Sequence, residues 1–79
     1  MKVLNLEKTC TGCPTVFEWN NKKGENIYFR LRYGYAKIVN ESKDIEILAD
    51  YFPGADGICS WDEVVIWAEI RGIKLKSNI

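Results

Sequence analysis

Between residues 15 and 40 apolar and polar positions alternate with a period of two, and breaks carrying Gly24 and Gly34 divide the run into three pieces. Thr15, Phe17 and Trp19 alternate with Val16, Glu18 and Asn20. Ile27, Phe29, Leu31 and Tyr33 alternate with Tyr28, Arg30 and Arg32, and a third run follows from Tyr35 to Asn40. Period two bounded by turn residues predicts strands joined by hairpins.

The turns set a register. A three-residue loop Lys22-Lys23-Gly24, with Gly24 in the left-handed conformation, pairs Asn21 with Glu25 and so brings Trp19 opposite Ile27, Phe17 opposite Phe29 and Thr15 opposite Leu31. A two-residue Tyr33-Gly34 turn pairs Arg32 with Tyr35, Leu31 with Ala36, Arg30 with Lys37 and Phe29 with Ile38. One face then carries Phe17, Trp19, Ile27, Phe29, Leu31, Ala36 and Ile38, a core face. The other carries Val16, Glu18, Tyr28, Arg30, Arg32, Tyr35, Lys37 and Val39. A slip of one residue would exchange the two faces.

Residues 44–52 fit two periods: Ile45, Leu48, Ala49 and Phe52 suit a helix, and Ile45, Ile47 and Ala49 suit a strand. The turn-like segment 40–43 favours a fourth strand. Pro53-Gly54 and Asp56-Gly57 read as a loop. Ser60 and Glu63 form a capping box, which starts a helix over residues 61–71, and Gly72 is its natural stop. The expected fold is therefore a single α+β domain over residues 1–79, an antiparallel meander of three to four strands (about 15–50) packed by one helix (about 61–71).

That helix is apolar on two sides. Trp61, Val64, Val65 and Ala68 suit the sheet, while Ile66, Trp67 and Ile70 make a second face. A chain of 79 residues has little protein with which to bury both. Ile66, Trp67 and Ile70 are thus candidate interface residues for a homo-oligomer or a partner protein.

Hydrophobic residues make up 47% and charged residues 28% of the chain, a globular balance. No apolar run approaches the ~18 residues of a membrane span, and residues 1–10 lack the apolar core of a signal peptide, so the expected location is the cytoplasm, with no membrane partner. Net charge is zero, unlike a general nucleic-acid binder. The charge is unevenly placed, however. Residues 21–37 hold Lys22, Lys23, Arg30, Arg32 and Lys37 against Glu25 alone, and residues 38–69 hold eight acids against Lys43 alone.

Cys10 and Cys13 have CxxC spacing, and Cys59 is the one other cysteine; the chain has no histidine. These are candidate zinc ligands, but a structural zinc site takes four, so a carboxylate such as Asp56 or Asp62, or a second chain, would have to complete it. The alternative is that Cys59 and Cys13 are small core residues, and the expectation is no metal and no other cofactor. Asp56, Gly57 and Glu63 match the fifth, sixth and twelfth positions of a calcium-binding loop, but Phe52 and Gly54 would occupy its first and third positions, without side-chain oxygens.

The candidate site is the outward sheet face, where Arg30, Arg32 and Lys37 project together with Tyr28 and Tyr35. Arginine forks beside aromatic rings suit a phosphate or nucleotide, through bidentate hydrogen bonds and stacking. The competing reading is an ordinary solvated face, with Glu18 opposite Tyr28 and diagonal to Arg30 as a surface ion pair. Catalysis has no visible machinery: there is no histidine, no phosphate-binding glycine loop and no nucleophile arrangement.

Cys13-Pro14-Thr15-Val16-Phe17-Glu18, followed by the hairpin Ile27-Tyr28-Phe29-Arg30-Leu31-Arg32-Tyr33-Gly34, resembles a pattern in small uncharacterised phage and phage-derived bacterial proteins. The later Asp56-Gly57 and short helix are similar too, so the resemblance spans about residues 10–72, while Trp19 and the Lys22-Lys23 loop depart from it. It brings no functional residues with it. It implies a small non-enzymatic accessory protein of the kind that inhibits host defence proteins or sequesters nucleotide signals. The sequence reading is therefore a non-enzymatic binder of an anionic small molecule, with a protein inhibitor acting through the helix face, or a zinc-stabilised module, as alternatives.

Overall fold

The computed structural model, which describes residues 1–12, 14–54 and 57–77, turns the chain at the two breaks in alternation. Strands β1 (Lys2–Cys10), β2 (Thr15–Asn20), β3 (Asn26–Arg32), β4 (Tyr35–Asn40) and β5 (Ile45–Tyr51) precede helix α1 (Trp61–Ile70) and a short β6 (Lys76–Ser77). The sheet order is β5-β4-β3-β2-β1-β6. Gly24 sits at φ 79°, and its N–H donates to the Asn21 carbonyl at 3.0 Å. Tyr33 and Gly34 both have positive φ, 53° and 72°, as a two-residue hairpin turn with the twist of its strands requires. The pairings are those the turns imply: Trp19 with Ile27 and Phe17 with Phe29 on one side, Arg30 with Lys37 and Phe29 with Ile38 on the other.

Two features correct the expected meander of three to four strands. Five strands are antiparallel, because β1 joins the edge of β2, and β6 then pairs with β1 in parallel. β1 breaks the period-two rule that would have revealed it. Its register on β2 shifts between Leu4 and Glu7 and again between Lys8 and Cys10, and Asn5 adopts φ 55°. Within residues 44–52 the chain does form a strand, Ile45–Tyr51, but with a bulge. Ile38 pairs with Leu48 and Val39 with Glu46, so Ile47 has no partner on β4.

The helix ends as its caps dictate. The Ser60 hydroxyl accepts from the Glu63 N–H at 3.3 Å, and Glu63 Oε1 accepts from the Ser60 N–H at 2.9 Å. At the other end Gly72 donates to the Glu69 carbonyl and Ile73 to the Ala68 carbonyl, the paired bonds of a Schellman stop, with Gly72 at φ 92°. The helix closes at Ile70, and Arg71 is its C-cap rather than its last turn.

α1 covers one face of the sheet. The seven residues expected on the core face are all buried, together with Val3, Phe52, Cys59, Val64, Trp67, Ala68 and Leu75. Aromatic contacts hold this layer. Trp61 meets Phe17 and Trp19 with ring centroids 5.3 Å apart in each case, and Trp67 meets Phe29 at 5.7 Å and Phe52 at 5.6 Å. The opposite sheet face has no covering layer among the described residues.

Candidate functional site

On the uncovered face the register arranges side chains in rows across the strands. Arg32 pairs with Tyr35, and Tyr35 with Tyr51; Arg30 pairs with Lys37, and Lys37 with Ala49; Tyr28 pairs with Val39, and Val39 with Glu46. Arg30, Arg32, Tyr35, Lys37 and Glu46 line one open depression of about 370 Å3. That volume is within the range of small-molecule sites. Four of the five residues expected there are thus brought together. Tyr28 lies in the adjoining row, half-buried, rather than in the wall.

None of the cations of this depression is held in a direct ion pair among the described residues. The ion pairs among the described residues are Lys43 with Glu25 and Arg71 with Asp50. Glu18 does sit opposite Tyr28, but it makes no ion pair with Arg30, so the ordinary surface-pair reading loses its partner. Arg32 instead lies 5.2 Å from the ring centroid of the exposed Tyr33, a cation–π contact at the hairpin turn. Tyr35 and Tyr51 meet edge-on at 5.6 Å, both exposed, and form an aromatic rim at one end of the face.

Glu46 is the residue that sequence reasoning missed. Without the bulge at Ile47, Glu46 would pair with Asn40, whose side chain is on the buried side. The extra residue moves Glu46 opposite Val39 and onto the face with the cations. A bulge of this kind has no marker in the sequence beyond three apolar residues, Ile45, Ile47 and Leu48, at mixed spacing.

The expected helix interface is also one place in the structure. Phe52, Pro53, Ile66, Trp67, Ile70 and Arg71 line an apolar groove of about 380 Å3, with Glu63 at its margin. Trp67, however, is only 4% exposed, whereas Ile66 and Ile70 are 59% and 76% exposed. Trp67 turns inward because its ring packs on Phe29 and Phe52 and its indole N–H donates to the Tyr51 carbonyl at 2.7 Å. It forms the floor of the groove, and of the three expected interface residues Ile66 and Ile70 present their side chains outward.

Cys10 and Cys59 are free thiols, and Cys13 and Asp56 lie outside the described residues. Cys10 pairs with Val16, which places it by register on the face away from α1, while Cys59 is buried beneath the helix. Among the described residues no group of three or more Cys, Asp or Glu side chains gathers to hold a metal ion. Burial, reinforced by the Glu63 carboxylate, pushes the Cys59 thiol up to about 11, so it remains protonated and unreactive near neutrality. Glu63, the last position of the calcium-loop pattern, is used in the helix cap. No protein-family model, curated protein or solved structure matches this chain.

Proposed function

We propose that this protein is a non-enzymatic binder of a phosphate-bearing small molecule of the nucleotide kind, held on the open sheet face. One observation carries the reading: Arg30, Arg32 and Lys37 converge with Tyr35 on a single depression, and none of the three makes an ion pair among the described residues. Three cations gathered on one depression beside the single carboxylate of Glu46 leave a net positive charge, and a multivalent anion with bidentate acceptors offsets it. In a phage-type accessory role this is the chemistry of a sponge for a nucleotide signal in the host cytoplasm. Calorimetric titration with mono-, di- and cyclic nucleotides tests it, with Arg30→Ala/Arg32→Ala as the control. Heat of binding that the double variant abolishes supports the site; no binding by any nucleotide, or unchanged binding by the variant, removes it.

The apolar groove favours a second reading, a surface for a protein partner or for a second copy of the chain. Ile66 and Ile70 are large, exposed and adjacent to Phe52 and Pro53, and such a surface is more costly to leave in water than scattered single residues.

A further inference from the structure

The carboxylate of Glu46 stands in the same depression as three cations, and a site built only for phosphate has no use for it. A carboxylate offers acceptors alone and repels a phosphate. Glu46 nevertheless makes no direct ion pair with any of the cations, since it takes part in neither ion pair of the described residues. It is there because a bulge turns it outward, and bulges commonly re-aim side chains next to binding sites.

Its position separates its task from that of the cations. Arg30 and Lys37 form one row; Tyr28, Val39 and Glu46 form the next, two residues along β4 and so about 7 Å away. That second row borders the depression with a half-buried tyrosine and a buried valine, an apolar shelf beside it, and with the Glu46 acceptor pair inside it. A flat ring with adjacent donors on one edge suits it, joined to a phosphate that reaches the first row. Guanine has this edge, because its N1–H and N2–H donors lie side by side and match the two oxygens of a carboxylate. Adenine presents an acceptor at N1 instead. Resting on the anion-site reading above, we infer that the depression selects guanine nucleotides, with Glu46 accepting from the base edge while Arg30, Arg32 and Lys37 hold the phosphate.

The experiment is calorimetric titration of the full chain at low salt with GMP, cyclic GMP, IMP, AMP and ribose 5-phosphate, repeated with Glu46→Gln and with Arg30→Ala/Arg32→Ala. GMP should bind about tenfold tighter than AMP, as charge-assisted hydrogen bonds of this type allow, with IMP between them because it has one of the two donors. Glu46→Gln should remove that preference and leave ribose 5-phosphate binding no weaker than before. Equal binding of GMP and AMP, or a preference that persists in Glu46→Gln, overturns the guanine inference and leaves the anion site standing. No binding of ribose 5-phosphate or of any nucleotide to the wild type overturns both. Glu46 is exposed on an edge strand, so melting of the Glu46→Gln protein within a degree or two of wild type excludes misfolding as the cause.

Discussion

The Thr15 hydroxyl donates to the Gly57 carbonyl at 2.6 Å and lies 3.2 Å from that of Gly12, tying the loop before α1 to the start of β2. Thr15 is fully buried, so its loss cannot be made good by water. Thr15→Val keeps the shape, removes the donor and strands a carbonyl; chemical denaturation should show a loss of about 1–3 kcal/mol. Cys59 gives a second test at this scale. Its folded value of about 11 lies above its ordinary 9.0, so folding favours the protonated thiol. That contribution is fully present below pH 9 and is lost as pH rises from 9 toward 11. Alkylation by iodoacetamide at pH 8 should accordingly be slow at Cys59 in the native protein and fast after unfolding in guanidinium. Rapid native alkylation at Cys59, located by peptide mapping, would contradict the burial on which this rests.

At the scale of elements, the helix end and the sheet edge are coupled through Arg71. Its guanidinium donates to Asp50 at 2.7 Å, to the Trp67 carbonyl at 3.0 Å and to the Tyr51 carbonyl at 3.1 Å, and lies 5.0 Å from the Trp67 ring centroid. The Arg71 hydrogen bond, followed by the Tyr51 N–H, holds the Asp50 carboxyl below its usual range. A carboxyl depressed by folding contributes stability above its unfolded value, and that contribution disappears as pH falls through the folded one. Asp50→Asn should therefore flatten the acid limb of the stability–pH curve; an unchanged slope would show that the pair contributes nothing in solution. The Tyr33-Gly34 turn makes the opposite kind of prediction. A tyrosine at φ 53° is held in a conformation that costs a bulky residue about 1–2 kcal/mol, and asparagine tolerates it better. Tyr33→Asn should raise the melting temperature, and if the ring positions Arg32 for an anion it should also weaken nucleotide binding.

These elements also show what the sequence made legible. The register of β2, β3 and β4 could be read because Gly24 and Gly34 define the turn types, and turn type determines which residues face each other across a hairpin. The basic cluster followed directly, since Arg30, Arg32 and Lys37 share parity once that register holds. β1 could not be read in the same way, because two register shifts break its alternation and its later half, Glu7, Lys8 and Thr9, is polar and exposed. Glu46 and Trp67 were obscured by long-range effects. The first depends on a bulge that forms only against β4, the second on an aromatic pocket assembled from Phe29 and Phe52. Periodicity describes one element at a time and carries no record of either.

For the whole molecule, the question is whether its two open surfaces serve a ligand on one side and a protein on the other. The sheet separates them, with the cationic depression on the uncovered face and the apolar groove at α1 on the covered one. Trp67 is a poor probe of the second surface, because truncating a core aromatic costs about 3–5 kcal/mol and a domain has only about 5–15 kcal/mol in total. Trp67→Ala would unfold much of the protein and look like a loss of assembly. Ile66 and Ile70 avoid this, since they are exposed and their substitution should change stability by no more than about 0.5 kcal/mol. In sedimentation velocity across a hundredfold range of concentration, self-association through the groove requires the wild type to gain mass as concentration rises. Ile66→Asp/Ile70→Asp should then remain monomeric and still melt cooperatively, at the temperature of the wild type at its lowest concentration, because carboxylates brought face to face across a two-fold contact repel and lose water. A wild type that stays monomeric throughout ends the homo-oligomer reading and leaves the groove to a different protein. An assembly that survives the double substitution would place its interface elsewhere, with the β5 edge as the next surface to test.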